Sequence, residues 1–375
     1  MPDRFPDASA AMTLEADNRL AAAASPRFGF ARLEHMIGGG VAMAAAALLV
    51  IETGTLLLGV FSRYVLRAPF VWTDELASIL FLWLAMLGAV LAYRRCEHMR
   101  MGAIANRAPP AWRGVFSGFG IAVELVCLGL LLRPALDYAM GEAAILTPAL
   151  EIPNVWRAAA LPIGFALMFL LGLLQIGRRI GWRGFGLALM VVVAVGLLLA
   201  LSKPSLLAMG NYRLLVFFVG VVGVCVLGGA PIAFGFGLGT FGYLALTTRM
   251  PLTVITSRID EGMSHIILLS VPLFVFLGLL IEITGMAKAM IDFVASLIGH
   301  LRGGLRYVLL ATIYLVSGIS GSKAADMAAV APVLFPEMKA RGAKPGDLVA
   351  LLAASGAMSE TIPPSLVLST IGTVA

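Results

Sequence analysis

Residues 307–326 read YVLLATIYLVSGISGSKAAD. The first half is an apolar run suited to lipid. The second half places two glycines, three serines, a lysine and an aspartate directly behind it. Gly318 and Gly321 permit a tight chain reversal. Ser317, Ser320 and Ser322 supply hydroxyls beside the carbonyls that a broken helix would free. The following residues stay rich in alanine and valine through 334, as backbone buried at membrane depth requires. This texture predicts a helix broken inside the membrane, with the tip of a re-entrant hairpin at GISGSKAAD. The competing reading is an ordinary loop outside the membrane followed by an amphipathic helix.

The rest of the chain supports a membrane setting. Of 375 residues, 60% are hydrophobic and only 13% charged. Soluble domains carry about 25% charged residues, and no soluble interior of this size hides so much apolar surface. Runs of roughly twenty apolar residues recur, the length at which a helix crosses the hydrocarbon core. The runs are continuous, without the alternation of a barrel strand. The expected fold is therefore all-α and polytopic. The net charge of +6 sits in short loops, where topology explains it without nucleic acid. Cys96, Cys127 and Cys225 are isolated, and the four histidines show no ligand spacing. No metalloprotease, nucleotide-loop or hydrolase pattern appears, which argues against an enzyme.

Spans are expected at about 37–61, 75–93, 114–133, 156–177 and 184–201. The loop 94–113 contains Arg94, Arg95, Arg100, Arg107 and Arg113 and reads as cytoplasmic. The loop 134–155, with Asp137, Glu142 and Glu151, reads as external. This pattern suggests a cytoplasmic N-terminus, and the polar, Ala-rich first 36 residues, with no apolar core near their start, read as a tail and not as a cleaved signal peptide. The expected divisions are a disordered cytoplasmic tail at 1–36, a four-helix region at 37–177, a linking region at 178–211 and a third region at 212–375. In that last part glycine and proline crowd the apolar sequence, as in LGGAPIAFGFGLGTFGYLAL and SGAMSETIPPS. Broken helices lining an ion or substrate path are a feature of secondary transporters.

Two constellations carry the functional reading. The first is 61–101. Trp72 suits an interfacial belt, and Asp74 and Glu75 open a helix where its dipole favours negative charge. Arg63 and Arg67 stand across the same turn and can pair with them. The residues form either an interfacial ion-pair cluster or a docking and assembly surface. The second constellation is 302–365. Pro363 and Pro364 break another helix near Gly356 and Ser359. With the 317–322 break, this yields two interrupted segments whose freed carbonyls can coordinate Na⁺. The candidate ion ligands are Ser317, Gly318, Ser320, Gly321, Ser322, Gly356, Ser359 and Pro363. Lys323 and Asp326, at i and i+3, either pair on a helix face or compensate each other within the bundle. Glu360 is either a helix-terminal residue or a proton or cation ligand.

These patterns resemble the membrane subunits of tripartite ATP-independent periplasmic (TRAP) transporters. The small-subunit pattern is matched by Arg63-Tyr64, Pro69, Trp72, Glu75-Leu76-Ala77, Trp83-Leu84, Leu87-Gly88-Ala89, Ala92, Arg94 and His98. The large-subunit pattern is matched by Gly229-Ala230-Pro231-Ile232, Pro272-Leu273-Phe274, Gly303-Gly304-Leu305, Ser320-Gly321-Ser322, Pro336 with Met338 and Gly342, and Pro363-Pro364-Ser365. The order looks like the fused form of the family. The resemblance implies a Na⁺-coupled uptake system in the bacterial inner membrane. It further implies an organic anion, typically a carboxylate, delivered by a periplasmic binding protein, and an elevator movement against the small-subunit scaffold. No cofactor is implied beyond Na⁺. Lys323 and Glu360 depart from the family pattern. The family's large subunit continues through a second inverted half, so the chain is expected to be truncated or completed by a second polypeptide, and to hold half of a transport site. A non-transporting scaffold or receptor component, and a proton-coupled transporter using Glu360, are the alternatives.

Overall fold

A computed structural model describes residues 28–101, 109–179, 181–264, 266–301, 303–320, 323–340, 342–359 and 361. Among these residues the structure is helical, with no strand. The helices are α1 (Phe28–Tyr64), α2 (Val71–Arg95), α3 (Pro110–Gly141), α4 (Ala160–Arg179), α5 (Gly181–Leu201), α6 (Val222–Leu227), α7 (Ile232–Thr247) and α8 (Thr253–Met263). They continue as α9 (Ser270–Ile283), α10 (Met286–Ile298), α11 (Gly304–Ser320), α12 (Lys323–Ala340) and α13 (Pro345–Ser359).

Six stretches among the described residues are long and apolar enough to cross a membrane: Glu34–Tyr64, Val71–Arg95, Gly114–Ala144, Val155–Ile176, Gly184–Leu201 and Gly210–Leu227. The first five coincide with the expected spans, and the protein is an all-α polytopic membrane protein. The sixth has no counterpart among the expected spans. Its glycines, at 210, 220 and 223, obscure it in the sequence. A π-helix at Leu215–Val221 leads into α6 there. Two helices overrun their apolar cores. α1 begins at Phe28, because residues 30–36 contain no glycine or proline and propagate the helix easily. α3 continues through Pro134 to Gly141, where a loop is expected. Proline removes one backbone donor there, but the rest of the ladder carries the helix on. α10 stops at Ile298, short of the Gly303-Gly304 pair, and Gly303 turns the chain with φ +76.

The chain divides into two compact units, described separately. The first draws on Met1–Ala44, Leu87–Ala135 and Pro162–Leu252. Its core joins Ile121, Leu125 and Ile176, with Phe169 and Phe185 packed against them. Glycines let helices approach closely there. A Cβ at Gly172 would stand 2.7 Å from Leu125 Cδ2, and one at Gly237 would stand 2.9 Å from Cys127 Sγ. Small residues at such crossings are the usual means of packing helices in lipid, where apolar burial alone gives no drive.

The second unit draws on Ala45–Met86, Leu136–Leu161 and Thr253–Ala375. One cluster sets Ala77 and Phe81 of α2 against Leu269, with Leu56, Leu268 and Val271 around them. A larger cluster unites four helices: Ile291 and Val294 of α10, Val308, Leu309 and Ile313 of α11, Val330, Leu334 and Met338 of α12, and Leu348 of α13. α11 ends at Ser320 and α12 starts at Lys323. Both feed the same core, so they pack together as a helical hairpin.

Candidate functional site

The C-terminal parts of α11 and α13 hold five of the eight expected ion ligands: Ser317, Gly318, Ser320, Gly356 and Ser359. Tyr314 of α11 donates its hydroxyl hydrogen to Met358 Sδ of α13 across 3.5 Å. That contact sets the C-terminal half of α11 against the last turn of α13. Ser317 and Ser355 are both buried there, and Ser355 Oγ turns inward to Leu351 O at 2.6 Å. Gly356 is buried beside it. Ser317 follows Tyr314 on α11, and Gly356 precedes Met358 on α13. The backbones of Gly318 and Ser320 complete α11, Lys323 and Asp326 lie in the first turns of α12, and Ser359 closes α13. Gly321, Ser322, Glu360 and Pro363 lie outside the described residues.

The electrostatics of the tip follow from helix geometry. The last four carbonyls of any α-helix have no intrahelical donor, and the macrodipole gives that end a partial negative charge. α11 and α13 each end in such carbonyls, and Tyr314 of the one touches Met358 of the other. The N-terminus of α12 follows α11 in the chain and has the opposite polarity. The arrangement offers carbonyl oxygens to a cation and backbone N–H groups to an anion.

The residues expected at the first constellation form a local network in the second unit. Arg63 Nη2 donates to Asp74 Oδ2 at 3.0 Å, with both side chains more than half exposed. An ion pair that exposed is worth little stability. Trp72 stacks on Phe70 with centroids 6.1 Å apart. Glu75 accepts from the backbone N–H groups of Ala149 at 2.6 Å and Leu150 at 3.1 Å. It therefore organises the 145–154 loop, and no ion pair with arginine joins it among the described residues. That loop is closed further by Thr147 N–H to Ile152 O and Asn154 N–H to Ile145 O. A cavity of about 260 Å³ opens beside it, lined by Glu75, Ser78, Thr147, Asn154 and Arg157 among others.

Two sets of contacts join distant parts of the chain and were not foreseen from the sequence. In the first unit, the turn after α2 is stapled to the segment entering α7. Ile232 N–H donates to Met99 O at 3.0 Å, Arg100 and Pro231 form an isolated bridge, and the His98 and Phe234 rings meet edge to face at 5.5 Å. Tyr93 packs on both rings. Gly120 of α3 lies under this segment, since a Cβ there would be 3.2 Å from Gly229 O. Burial, with Arg100 adding to it, holds His98 below the usual histidine range, while the Ala89 carbonyl pulls the other way.

In the second unit, Asp260 of α8 is almost wholly buried. Its Oδ2 accepts from Tyr138 Oη at 2.8 Å and from Arg157 Nη2. Its Oδ1 accepts from Ser264 Oγ at 3.3 Å. Asp260 is visible in the sequence only as one of two acids in an amphipathic segment. Its partners lie 122 and 103 positions away, a separation that no local pattern reveals.

Comparison with known proteins assigns these parts. Residues 52–181 match the family described as tripartite ATP-independent periplasmic transporters, DctQ component. Residues 219–375 match the DctM component of the same transporters. The sialic acid TRAP transporter permease protein SiaT of Haemophilus influenzae is 26% identical over 357 residues, covering 92% of this chain and 56% of that protein. The isethionate TRAP transporter permease protein DctMQ of Oleidesulfovibrio alaskensis is 26% identical over 305 residues, covering 80% of this chain and 47% of that protein. The C4-dicarboxylate TRAP transporter large permease protein DctM of Rhodobacter capsulatus is 29% identical over 149 residues, covering 40% and 34%. The chain spans about half the length of the two fused permeases. These matches define a membrane component of a solute transporter, and not an enzyme. The chain belongs to the TRAP transporter family, as a small-component region followed by a large-component region.

Both sets of long-range contacts therefore run between the two components. Tyr93, His98, Met99, Tyr138 and Arg157 lie in the small-component match, and Pro231, Ile232, Phe234 and Asp260 in the large-component match.

Proposed function

We propose that this chain is the membrane component of a Na⁺-coupled secondary uptake transporter for an organic anion, delivered by a periplasmic binding protein. The hairpin α11–α12 belongs to the moving body, and the small-component region, with residues 37–177, is the scaffold of an elevator mechanism. Na⁺ is held at the tip by carbonyls and hydroxyls of Ser317, Gly318, Ser320, Gly321, Ser322, Gly356, Ser359 and Pro363. Lys323, Asp326 and Glu360 stand nearest to that site in the chain and set its charge.

One observation supports this reading: Tyr314 of α11 contacts Met358 in the last turn of α13, close in the chain to Ser317 and Gly356. Helix C-termini favour a cation over an anion, and transporters place coupling ions at such broken ends. The N-terminus of α12, next in the chain after α11, suits an anionic substrate group. The names of the similar permeases support an organic anion: sialic acid, isethionate and C4-dicarboxylates. Two of those three are carboxylates, which makes a carboxylate the first substrate class to try. The distinguishing experiment is uptake into proteoliposomes by the complete transporter, with its binding protein, under an inward Na⁺ gradient. Uptake that requires both Na⁺ and the binding protein supports the proposal. Equal uptake without Na⁺ removes sodium coupling, and uptake without the binding protein removes the tripartite assignment.

A further inference from the structure

Helix α8 is the first helix of the second unit that belongs to the large-component match. It is short, 11 residues, and its outer face carries the exposed pair Arg258–Glu261 at 2.7 Å. Its inner face is a stripe at i, i+4 spacing. Thr256 and Asp260 are essentially inaccessible, and Ser264 follows one turn later. Such a stripe on an amphipathic helix is ordinarily apolar. Here it is polar, and its central carboxylate takes hydrogen bonds from two side chains of the small-component region.

We propose that Asp260 anchors α8 to the small-component region, so that Tyr138 and Arg157 determine where this helix sits. Three features carry the inference. Both foreign donors converge on the same oxygen, Oδ2, while Oδ1 is left to Ser264 of α8's own end. The carboxylate is 2% exposed and the arginine 24%, so water does not compete for the acid. The donors are themselves placed by separate supports. Tyr138 is on α3, and Arg157 is in the short helix Val155–Ala158 that follows the loop organised by Glu75. The adjoining segment adds apolar contact, because Leu268, Leu269 and Val271 pack on Leu56, Ala77 and Phe81.

A buried charge pair is not a general stabiliser, because desolvation offsets most of its attraction. Removing one partner is nonetheless severe, since it leaves the other charge buried alone. That asymmetry makes Asp260 a positioning residue. It penalises any placement of α8 that parts it from Arg157, and apolar contacts alone cannot do that. The anchor does not depend on what the transporter carries or on which ion drives it.

The test is hydrogen–deuterium exchange on the full chain in detergent, read peptide by peptide. In Asp260→Asn and in Arg157→Gln, amides of 253–264 should exchange at least ~10-fold faster than in the parent, while those of α10–α12 keep their protection. The charge exchange Arg157→Asp with Asp260→Arg should restore protection of α8 that Arg157→Asp alone loses. Restoration is the readout that a merely space-filling role would not give. Unchanged exchange of 253–264 in both single variants would overturn the anchor. So would a loss spread equally over α8 and α10–α12 that the charge exchange fails to reverse. Na⁺-dependent uptake is scored separately, so failure of the transport reading leaves the anchor standing, and the converse.

Discussion

At the scale of single residues, the two candidate roles differ in what a substitution does. The serines at the hairpin tip are proposed ligands. Ser320→Ala and Ser322→Ala should each weaken apparent Na⁺ affinity by about tenfold, in line with the loss of one hydrogen-bonding oxygen in a buried site. Na⁺ titration of uptake measures this, and an unchanged affinity would move the ion site elsewhere. His98 has a different test. Its folded-state pKa lies below the ordinary value, so the unfolded chain takes up the proton more readily. Stability is full above the unfolded value near 6.5 and falls as pH drops from there toward the folded value. The groups against the imidazole are Arg100, Tyr93 and Phe234. Melting of the purified chain should therefore shift down between about pH 7.5 and 5.5, and His98→Gln should shift less. Ser317 and Gly356 could be nominated from sequence because hydroxyls and glycines are conspicuous in apolar text. Asp260 could not, because its meaning lies in Tyr138 and Arg157.

At the scale of elements, helix identity was largely legible and helix contact was not. Continuous apolar runs of membrane length announce α2, α4 and α5. The runs do not announce where a helix outlasts its apolar stretch, as α1 and α3 do, since propagation depends on backbone hydrogen bonding and not on hydropathy. Glycines mark close crossings only once the partner is known. Gly120 and Gly88 read alike in sequence. A Cβ at Gly120 would press on Gly229 O at 3.2 Å, whereas Gly88 faces open space. Gly120→Val should destabilise the chain by about 1–3 kcal/mol. Gly88→Ala should be neutral or stabilising by up to about 1 kcal/mol. Thermal melting in detergent separates the two, and equal effects would contradict the packing described for α3. In the hairpin, Leu309 is fully buried among α10, α11 and α12. Leu309→Ala should cost about 2–5 kcal/mol, seen as an earlier melting transition.

At the scale of the whole molecule, the charge pattern makes a claim about orientation. Arginines crowd the 94–113 loop, and the positive-inside tendency predicts a cytoplasmic side for it. In a background lacking Cys96, Cys127 and Cys225, Glu151→Cys should react with an impermeant maleimide on intact spheroplasts. Glu97→Cys should react only after permeabilisation. The reverse pattern would invert the topology. The same arrangement predicts that the Met99–Ile232 staple shares the side of the 94–113 loop, because the two segments are hydrogen-bonded to each other.

The sequence by itself determined the class of molecule. Hydrophobic content, span length and the loop arginines are one-dimensional quantities, and the bilayer reads them in one dimension. The TRAP family likeness was also legible, because motifs such as Gly229-Ala230-Pro231-Ile232 and Trp83-Leu84 are local strings. Only the tertiary structure decided what those strings touch. It set His98 against Phe234, brought the end of α13 to Tyr314 of α11, and turned an unremarkable aspartate in α8 into the meeting point of Tyr138 and Arg157. The physical reason is that helices in lipid associate through specific small-residue packing and a few buried polar contacts. Those depend on which faces meet, and hydropathy along a chain carries no record of faces brought together from a hundred residues apart.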